Sequence, residues 1–157
     1  MIHFTKNKFI FNGILIFSII ALSLAYFIQY ILGHNPCNLC LVERIPYFAA
    51  IILISLFFVI NRYERFITIF ILLFFIFGTV VSFYHVGIEQ SIFNESMFCD
   101  LSNNVALTKE DLLRQLENKP VSCKDVTFTI MGLSLATINT LISIVVSVIL
   151  VKNLEKK

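Results

Sequence analysis

The sequence predicts an all-α membrane protein built as a bundle of four transmembrane helices. Hydrophobic residues make up 58% of the 157 residues and charged residues only 14%, whereas ordinary soluble domains carry about 25% charged residues. The apolar residues are concentrated in four long runs, and roughly 20 apolar residues cross a bilayer as a helix. A soluble chain of this composition lacks the polar surface to cover its core, so a single membrane domain is predicted.

The apolar runs set the expected elements in chain order. We expect transmembrane helices at about residues 9–32, 45–60, 66–86 and 128–151. The first run is too long for the apolar region of a signal peptide and lacks a small-x-small cleavage site, so we expect it to remain as a helix. The segments 33–44 and 87–127 then form two polar loops on the same side of the membrane.

The longer loop contains the pattern of a short amphipathic helix. Residues 107–117 place leucines on one face and charged side chains on the other, with Thr108 as a candidate N-cap. Such a helix lies either flat on the membrane surface or against the loop itself, and the sequence does not choose between these positions.

Basic residues predict the orientation of the bundle. Four spans place both termini on one side, and the basic residues of the short segments on that side are Lys6, Lys8, Arg62, Arg65, Lys152, Lys156 and Lys157. By the positive-inside rule this side is cytoplasmic, so all four cysteines lie on the outer side. That compartment is oxidising, and disulfides persist there. The net charge of +2 gives no indication of a nucleic-acid partner.

Two cysteines and an ion pair interrupt the apolar sequence at Cys37-Asn38-Leu39-Cys40-Leu41-Val42-Glu43-Arg44. A disulfide across a Cys-x-x-Cys spacing closes a very small ring and is easily reduced, which is typical of a redox pair. If Cys40 lies near a helix N-terminus, the free N–H groups and Arg44 one turn away favour its thiolate. We expect Glu43 to orient Arg44 or to face solvent.

Cys99 and Cys123 enclose the polar part of the second loop. Four cysteines allow three pairings, and sequence spacing does not choose among them. A disulfide between Cys99 and Cys123 is sterically easy. In the chain-entropy model, closing a loop of this length stabilises the fold by about 3 kcal/mol. Taken alone, this pair is therefore typical of a structural disulfide. We expect no metal, because this second pair lacks the close ligand spacing of a four-thiolate zinc site.

Arg44 and His85 are ionisable groups near membrane depth, and such groups usually mark a functional site. Arg44 is a candidate to hold a carbonyl oxygen of an electron acceptor, with snorkelling to the lipid headgroups as the alternative. His85, at the end of the third run, is a candidate donor of a proton or a hydrogen bond. The alternative for His85 is a packing or capping role.

Together these motifs resemble the bacterial disulfide-bond formation protein B (DsbB) family. The matching pieces follow in order over nearly the whole chain: Pro36–Arg44, Tyr84–Gln90, Cys99 with Asp100, Cys123, and Gly132–Leu135. The resemblance implies a thiol:quinone oxidoreductase in a bacterial inner membrane, with cytoplasmic termini and periplasmic cysteine loops. Its partner would be a DsbA-like thioredoxin-fold dithiol oxidase, and its cofactor ubiquinone or menaquinone drawn from the lipid.

The resemblance also implies roles for individual residues. It implies disulfides Cys37–Cys40 and Cys99–Cys123. In the implied relay Cys99 forms the mixed disulfide with the partner and Cys123 attacks Cys37. Cys40 is then left facing the quinone. Arg44 binds that quinone, and His85 occupies a position associated with the quinone site.

Two alternatives stay open at the level of sequence. One is a vitamin K epoxide reductase-like quinone enzyme, in which the loop pair precedes the Cys-x-x-Cys pair. The other is a tetraspan protein without enzymatic activity, whose disulfides are only structural.

Overall fold

The described part of the chain consists mainly of α-helices. The computed structural model describes residues 2–60, 63–94, 99, 122–124, 129–130 and 132–155, with side chains from residue 8 onward except at 130. The helices are α1 Ile2–Tyr30, α2 Asn38–Val42, α3 Ile45–Ile60, α4 Glu64–Glu89 and α5 Leu135–Glu155. A two-stranded antiparallel ribbon, β1 Thr129–Ile130 and β2 Leu133–Ser134, precedes α5.

Four stretches of the described chain are long and apolar enough to cross a membrane: Lys8–Tyr30, Asn38–Ile60, Glu64–Glu89 and Leu135–Glu155. The predicted class, an all-α membrane protein with four transmembrane helices, is therefore confirmed. Many large apolar side chains point outward from these helices, as expected where lipid replaces water. The amphipathic helix predicted at 107–117 lies outside the described residues.

The second span is broken where the motif residues lie. α2 ends at Val42, Glu43 and Arg44 form a turn, and α3 begins at Ile45. Pro46 lacks the N–H that would bond to the carbonyl of Val42, so the helix cannot run through this point with regular bonding. The turn lets the two charged side chains leave the chain in different directions.

The fourth long helix begins at Leu135, so the expected start at residue 128 is wrong. The segment before it forms the ribbon, in which Thr129 pairs with Ser134 and Gly132 adopts a positive φ of 81°. Ser134 then stops the ribbon and starts the helix, because its Oγ accepts a hydrogen bond from the backbone N–H of Thr137 at 3.2 Å. A serine at this position is a favoured N-cap, and apolar sequence alone does not reveal it.

A close contact between helices α3, α4 and α5 lies just below the motif. Gly78 has no side chain, and a Cβ built there would lie 2.8 Å from Cγ of the buried Pro46 and 3.7 Å from Oγ of Ser143. α4 packs most extensively on α5, then on α3, and α3 in turn packs on α1. The glycine thus brings the helices close together at the level where they hold the polar side chains described next.

Candidate redox site

All four cysteines lie in one buried cluster at the end of the bundle where α2 begins and α4 ends, here called the cysteine end. Its buried members are Cys37, Leu39, Ile88, Cys99 and Cys123, and Cys40, Val81 and Tyr84 pack against them. The cluster therefore joins the Cys-x-x-Cys motif to the second cysteine pair, although the two pairs belong to different loops. Sequence spacing could not predict this contact.

The two cysteine pairs differ in their bonding. Cys99 and Cys123 are joined by a disulfide. Cys37 and Cys40 are separate thiols, with their Sγ atoms 2.8 Å apart. The Cys37–Cys40 disulfide implied by the resemblance is thus not formed here and stays a prediction.

Cys37, rather than Cys40, caps the N-terminus of α2. Its Sγ accepts a hydrogen bond from the backbone N–H of Cys40 at 3.3 Å, and its backbone is extended before the helix begins. The hydrogen bond with the Cys40 thiol and that with His85 lower the pKa of Cys37 well below its usual value, against the opposing effect of burial. The helix terminus and these neighbours therefore stabilise a thiolate on the first cysteine of the motif.

His85 links the dithiol pair to a buried carboxylate. Its Nε2 lies 3.5 Å from Sγ of Cys37, and its Nδ1 lies 2.7 Å from Oε1 of Glu43. An ionised carboxylate only accepts hydrogen bonds, so Nδ1 donates and the ring is held with Nε2 toward the sulfur. The expectation that Glu43 orients Arg44 or faces solvent is wrong, because the Glu43 side chain is buried and bonds to His85.

Asn139 of α5 holds the other side of this carboxylate. Its Nδ2 donates to Oε2 of Glu43 at 3.0 Å and to Oγ of Ser82 at 2.7 Å. Its Oδ1 accepts from the Tyr47 hydroxyl at 2.5 Å. Both oxygens of Glu43 are therefore bonded by groups from α4 and α5, which offsets the cost of burying the carboxylate at membrane depth.

Arg44 turns away from this network toward α1. Its Nη1 donates to Oε1 of Gln29 at 2.7 Å, and its guanidinium carbon lies 5.0 Å from the centroid of the Tyr26 ring. Tyr26 also stacks on Tyr30, with ring centroids 6.0 Å apart. Arg44 is therefore held at the edge of the bundle beside an aromatic surface, with further guanidinium N–H groups beyond the one bonded to Gln29.

These residues differ in what they can bind. Cys99 and Cys123 are consumed by their disulfide, so a zinc site of four thiolates does not form in this state. The ligand atoms of Cys37, Cys40 and His85 all lie within 4.8 Å of one another. The N–H groups of Arg44 beyond the one bonded to Gln29 are donors that a carbonyl oxygen can accept.

Several residues of the site were not singled out from the sequence: Gln29, Tyr47, Ser82 and Asn139. Two of them carried a usable signal, since Gln29 and Asn139 are amides within apolar spans, where polar side chains are expensive and tend to be functional. No sequence pattern indicated that Asn139 bonds to Glu43, because the two residues are far apart in the chain.

Four spanning helices that bring a disulfide, a dithiol and a buried histidine–carboxylate pair together at one end define a membrane-embedded thiol–disulfide oxidoreductase. The chain belongs to the DsbB family, whose model, described as disulfide bond formation protein DsbB, matches residues 7–152. A relative from Rickettsia prowazekii (strain Madrid E), named uncharacterized protein RP370, is 31% identical over 144 residues, which cover 88% of this chain and 84% of the relative. No solved structure gives a significant match.

Membership of this family assigns the general function of the protein. The protein is a multi-pass membrane oxidoreductase of disulfide-bond formation, and the cysteines that such chemistry requires are present. The vitamin K epoxide reductase-like alternative is disfavoured, because the family that matches is DsbB and the Cys-x-x-Cys pair precedes the loop pair.

Proposed function

We propose that this protein is a thiol:quinone oxidoreductase that re-oxidises a DsbA-like thioredoxin-fold dithiol oxidase. The observation that carries the proposal is the single buried cluster holding both cysteine pairs. Thiol–disulfide exchange needs a thiolate within reach of a disulfide sulfur, and a shared cluster provides that proximity. Two structural disulfides would not need to share one cluster.

The proposed relay begins at the loop pair. A thiolate of the partner attacks the sulfur of Cys99, which forms a mixed disulfide and releases Cys123 as a thiolate. The second thiol of the partner then attacks the partner's sulfur in the mixed disulfide. This forms the partner's disulfide and releases Cys99 in its reduced form. The exchange transfers two electrons from the partner to the loop pair, and the partner's two thiol protons pass to the loop thiols or to solvent.

The relay continues between the pairs. The Cys123 thiolate attacks Cys37 of an oxidised Cys37–Cys40 pair, and Cys40 is released as a thiolate. Cys99 then attacks Cys123, re-forms the loop disulfide and releases Cys37. These steps leave the loop pair oxidised and the Cys37–Cys40 pair reduced.

The surroundings of Cys37 support this order. Cys37 is the leaving group when the loop disulfide re-forms, and a good leaving thiol has a low pKa. The N-terminus of α2 and the hydrogen bond to His85 stabilise that leaving thiolate. Glu43 keeps the His85 ring oriented for this contact through the bond to Nδ1.

The last step needs an electron acceptor in the membrane. When bound, a quinone supplies a two-electron sink for the reduced Cys37–Cys40 pair. Arg44 is the proposed donor to a quinone carbonyl, and Tyr26 and Gln29 hold its guanidinium in place. Nε2 of His85 lies 3.5 Å from Sγ of Cys37 and is placed to hold the proton that Cys37 gives up.

We further propose that the termini are cytoplasmic and that the cysteine end faces the periplasm of a bacterial inner membrane. The density of Lys and Arg in the terminal segments and in the segment 61–65 supports this orientation. A thioredoxin-fold partner that works in an oxidising compartment then meets Cys99 and Cys123 on the same side.

The direct test is a thiol count on the full chain in detergent stripped of quinone. The protein is reduced, freed of reductant under anaerobic conditions, and labelled with a mass-tagged alkylator before and after a soluble quinone is added. We expect thiols to disappear in pairs only when quinone is present. Cys40→Ser should block this quinone-dependent loss.

The same assay separates the proposal from the alternative of purely structural disulfides. Loss of thiols at the same rate with and without quinone, or quinone-dependent loss that survives Cys40→Ser, overturns the proposal. The detergent-stripped sample is repeated in lipid nanodiscs, so that loss of the quinone site in detergent is not mistaken for a negative result.

A further inference from the structure

We propose that the reduced form of this protein binds a thiophilic divalent cation, Zn²⁺ or Cd²⁺, through Cys37, Cys40 and His85. The three ligand atoms lie within 4.8 Å of one another, and the residues come from α2, its cap and α4. Two sulfurs and one imidazole nitrogen are a donor set that zinc binds readily, with a fourth position left open.

The distances suit such an ion after a small adjustment. With zinc–sulfur bonds of about 2.3 Å and zinc–nitrogen bonds of about 2.0 Å, tetrahedral ligands lie about 3.6 to 3.8 Å apart. Sγ of Cys37 and Nε2 of His85 are already 3.5 Å apart. The sulfurs of Cys37 and Cys40, at 2.8 Å, must separate by about 1 Å, within the range of a side-chain rotation.

The second nitrogen of His85 has the partner that a metal-bound histidine normally has. Nδ1 bonds to Oε1 of Glu43 at 2.7 Å, so Nε2 is the nitrogen turned to the sulfurs. A carboxylate on the far side of the ring fixes its orientation and raises its strength as a ligand. Glu89, one helical turn on, adds negative charge near the site, since its Oε1 lies 3.9 Å from Nε2 of His85.

The site exists in one redox state only. Binding replaces the thiol proton of Cys40 and the proton shared between Sγ of Cys37 and Nε2 of His85. Both protons leave to solvent, and no electrons move. In a Cys37–Cys40 disulfide the sulfurs are bonded to each other and cannot act as thiolate ligands. The cation therefore competes with re-oxidation of the pair. This consequence for turnover rests on the proposed function, whereas the binding itself does not.

Co²⁺ is the probe, because a tetrahedral thiolate site gives it intense visible and near-ultraviolet absorption. The experiment uses the full chain carrying Cys99→Ser and Cys123→Ser, so that Cys37 and Cys40 are the remaining thiols. We expect one Co²⁺ per reduced chain with a tetrahedral spectrum, displaced by one equivalent of Zn²⁺. Oxidising the pair should abolish the spectrum.

Variants distinguish this site from adventitious thiol binding. Glu43→Gln should weaken Zn²⁺ binding about 10- to 100-fold, as loss of an outer-shell carboxylate does. His85→Gln should lose the tetrahedral spectrum, while the matched variant His34→Gln should retain it. An octahedral spectrum, binding that survives oxidation, or equal spectra for His85→Gln and His34→Gln overturns the proposal.

The consequence for turnover is tested separately with the unmodified chain. Zn²⁺ added to the reduced protein should slow the quinone-dependent loss of thiols, and a chelator should restore the rate. If no quinone-dependent loss is seen at all, the proposed function fails while the Co²⁺ result still stands. If quinone-dependent loss is normal but Co²⁺ does not bind, the metal proposal alone fails.

Discussion

Oε1 of Glu43 and Nδ1 of His85 lie 2.7 Å apart, and both side chains are buried at the cysteine end of the bundle. The same histidine approaches the Cys37 sulfur through Nε2. Carboxylate, imidazole and thiol thus form a hydrogen-bonded row in which the carboxylate orients the ring. An arrangement of this kind activates cysteine in enzymes, and here it lies where a spanning helix is broken.

Glu43→Gln should slow the re-formation of the Cys37–Cys40 disulfide by soluble quinone. Loss of a hydrogen bond to a charged group costs about 1.5 to 3 kcal/mol, which corresponds to a rate about 10- to 100-fold lower. This rate is measured by adding the mass-tagged alkylator at set times after the quinone and counting the thiols that remain. Glu64→Gln, at the opposite end of α4, is the matched control and should leave it unchanged. Equal rates for the two variants would contradict an orienting role for Glu43.

Arg44→Gln should impair the use of quinone without impairing exchange between the cysteine pairs. We expect the quinone concentration at half-maximal rate to rise about tenfold, since one charge-assisted hydrogen bond is lost. The measurement is the quinone dependence of thiol loss. Arg65→Gln, an exposed arginine near the start of α4, is the control. A change in maximal rate with unchanged quinone dependence would assign Arg44 to another role.

Cys123→Ala should trap the protein with its thiol partner. The partner is a DsbA-like oxidase whose second cysteine is replaced by Ser, so a mixed disulfide between its remaining thiol and Cys99 has no second thiol, in the partner or in the loop, to resolve it. We expect a covalent complex on a non-reducing gel after the two proteins are mixed with a mild oxidant. Cys99→Ala should give no such complex. Trapping by Cys99→Ala and not by Cys123→Ala would reverse the assigned roles of the two cysteines.

Gly78→Ala should destabilise the bundle. The added Cβ would lie 2.8 Å from the ring of the buried Pro46, which cannot rotate away, and overpacking of this kind costs about 1 to 3 kcal/mol. Gly13→Ala is the matched control, because nothing lies within 4 Å of its added Cβ and alanine favours the helix by up to about 1 kcal/mol. Thermal unfolding in detergent should therefore show a lower midpoint for the first variant. A midpoint for Gly78→Ala equal to or above that of Gly13→Ala would show that α3 and α4 separate without cost.

The third span and the ribbon before α5 differ in how well the local sequence pattern predicts them. The sequence predicted the helix of the third span, because a long apolar run between polar turns has few other solutions in a membrane. It did not predict the ribbon before α5. The start of that helix depends on a cap at Ser134 and a positive φ at Gly132, which hydropathy does not report.

The sequence by itself determined the class of protein, the number of spanning helices and the chemistry present, because composition, run length and cysteine spacing are local properties. Tertiary structure decided which groups meet. Glu43 bonds to His85 and Asn139 instead of pairing with Arg44, and both cysteine pairs share one cluster. These contacts depend on the rotation of each helix about its axis and on the close approach at Gly78, which arise only when the helices pack together.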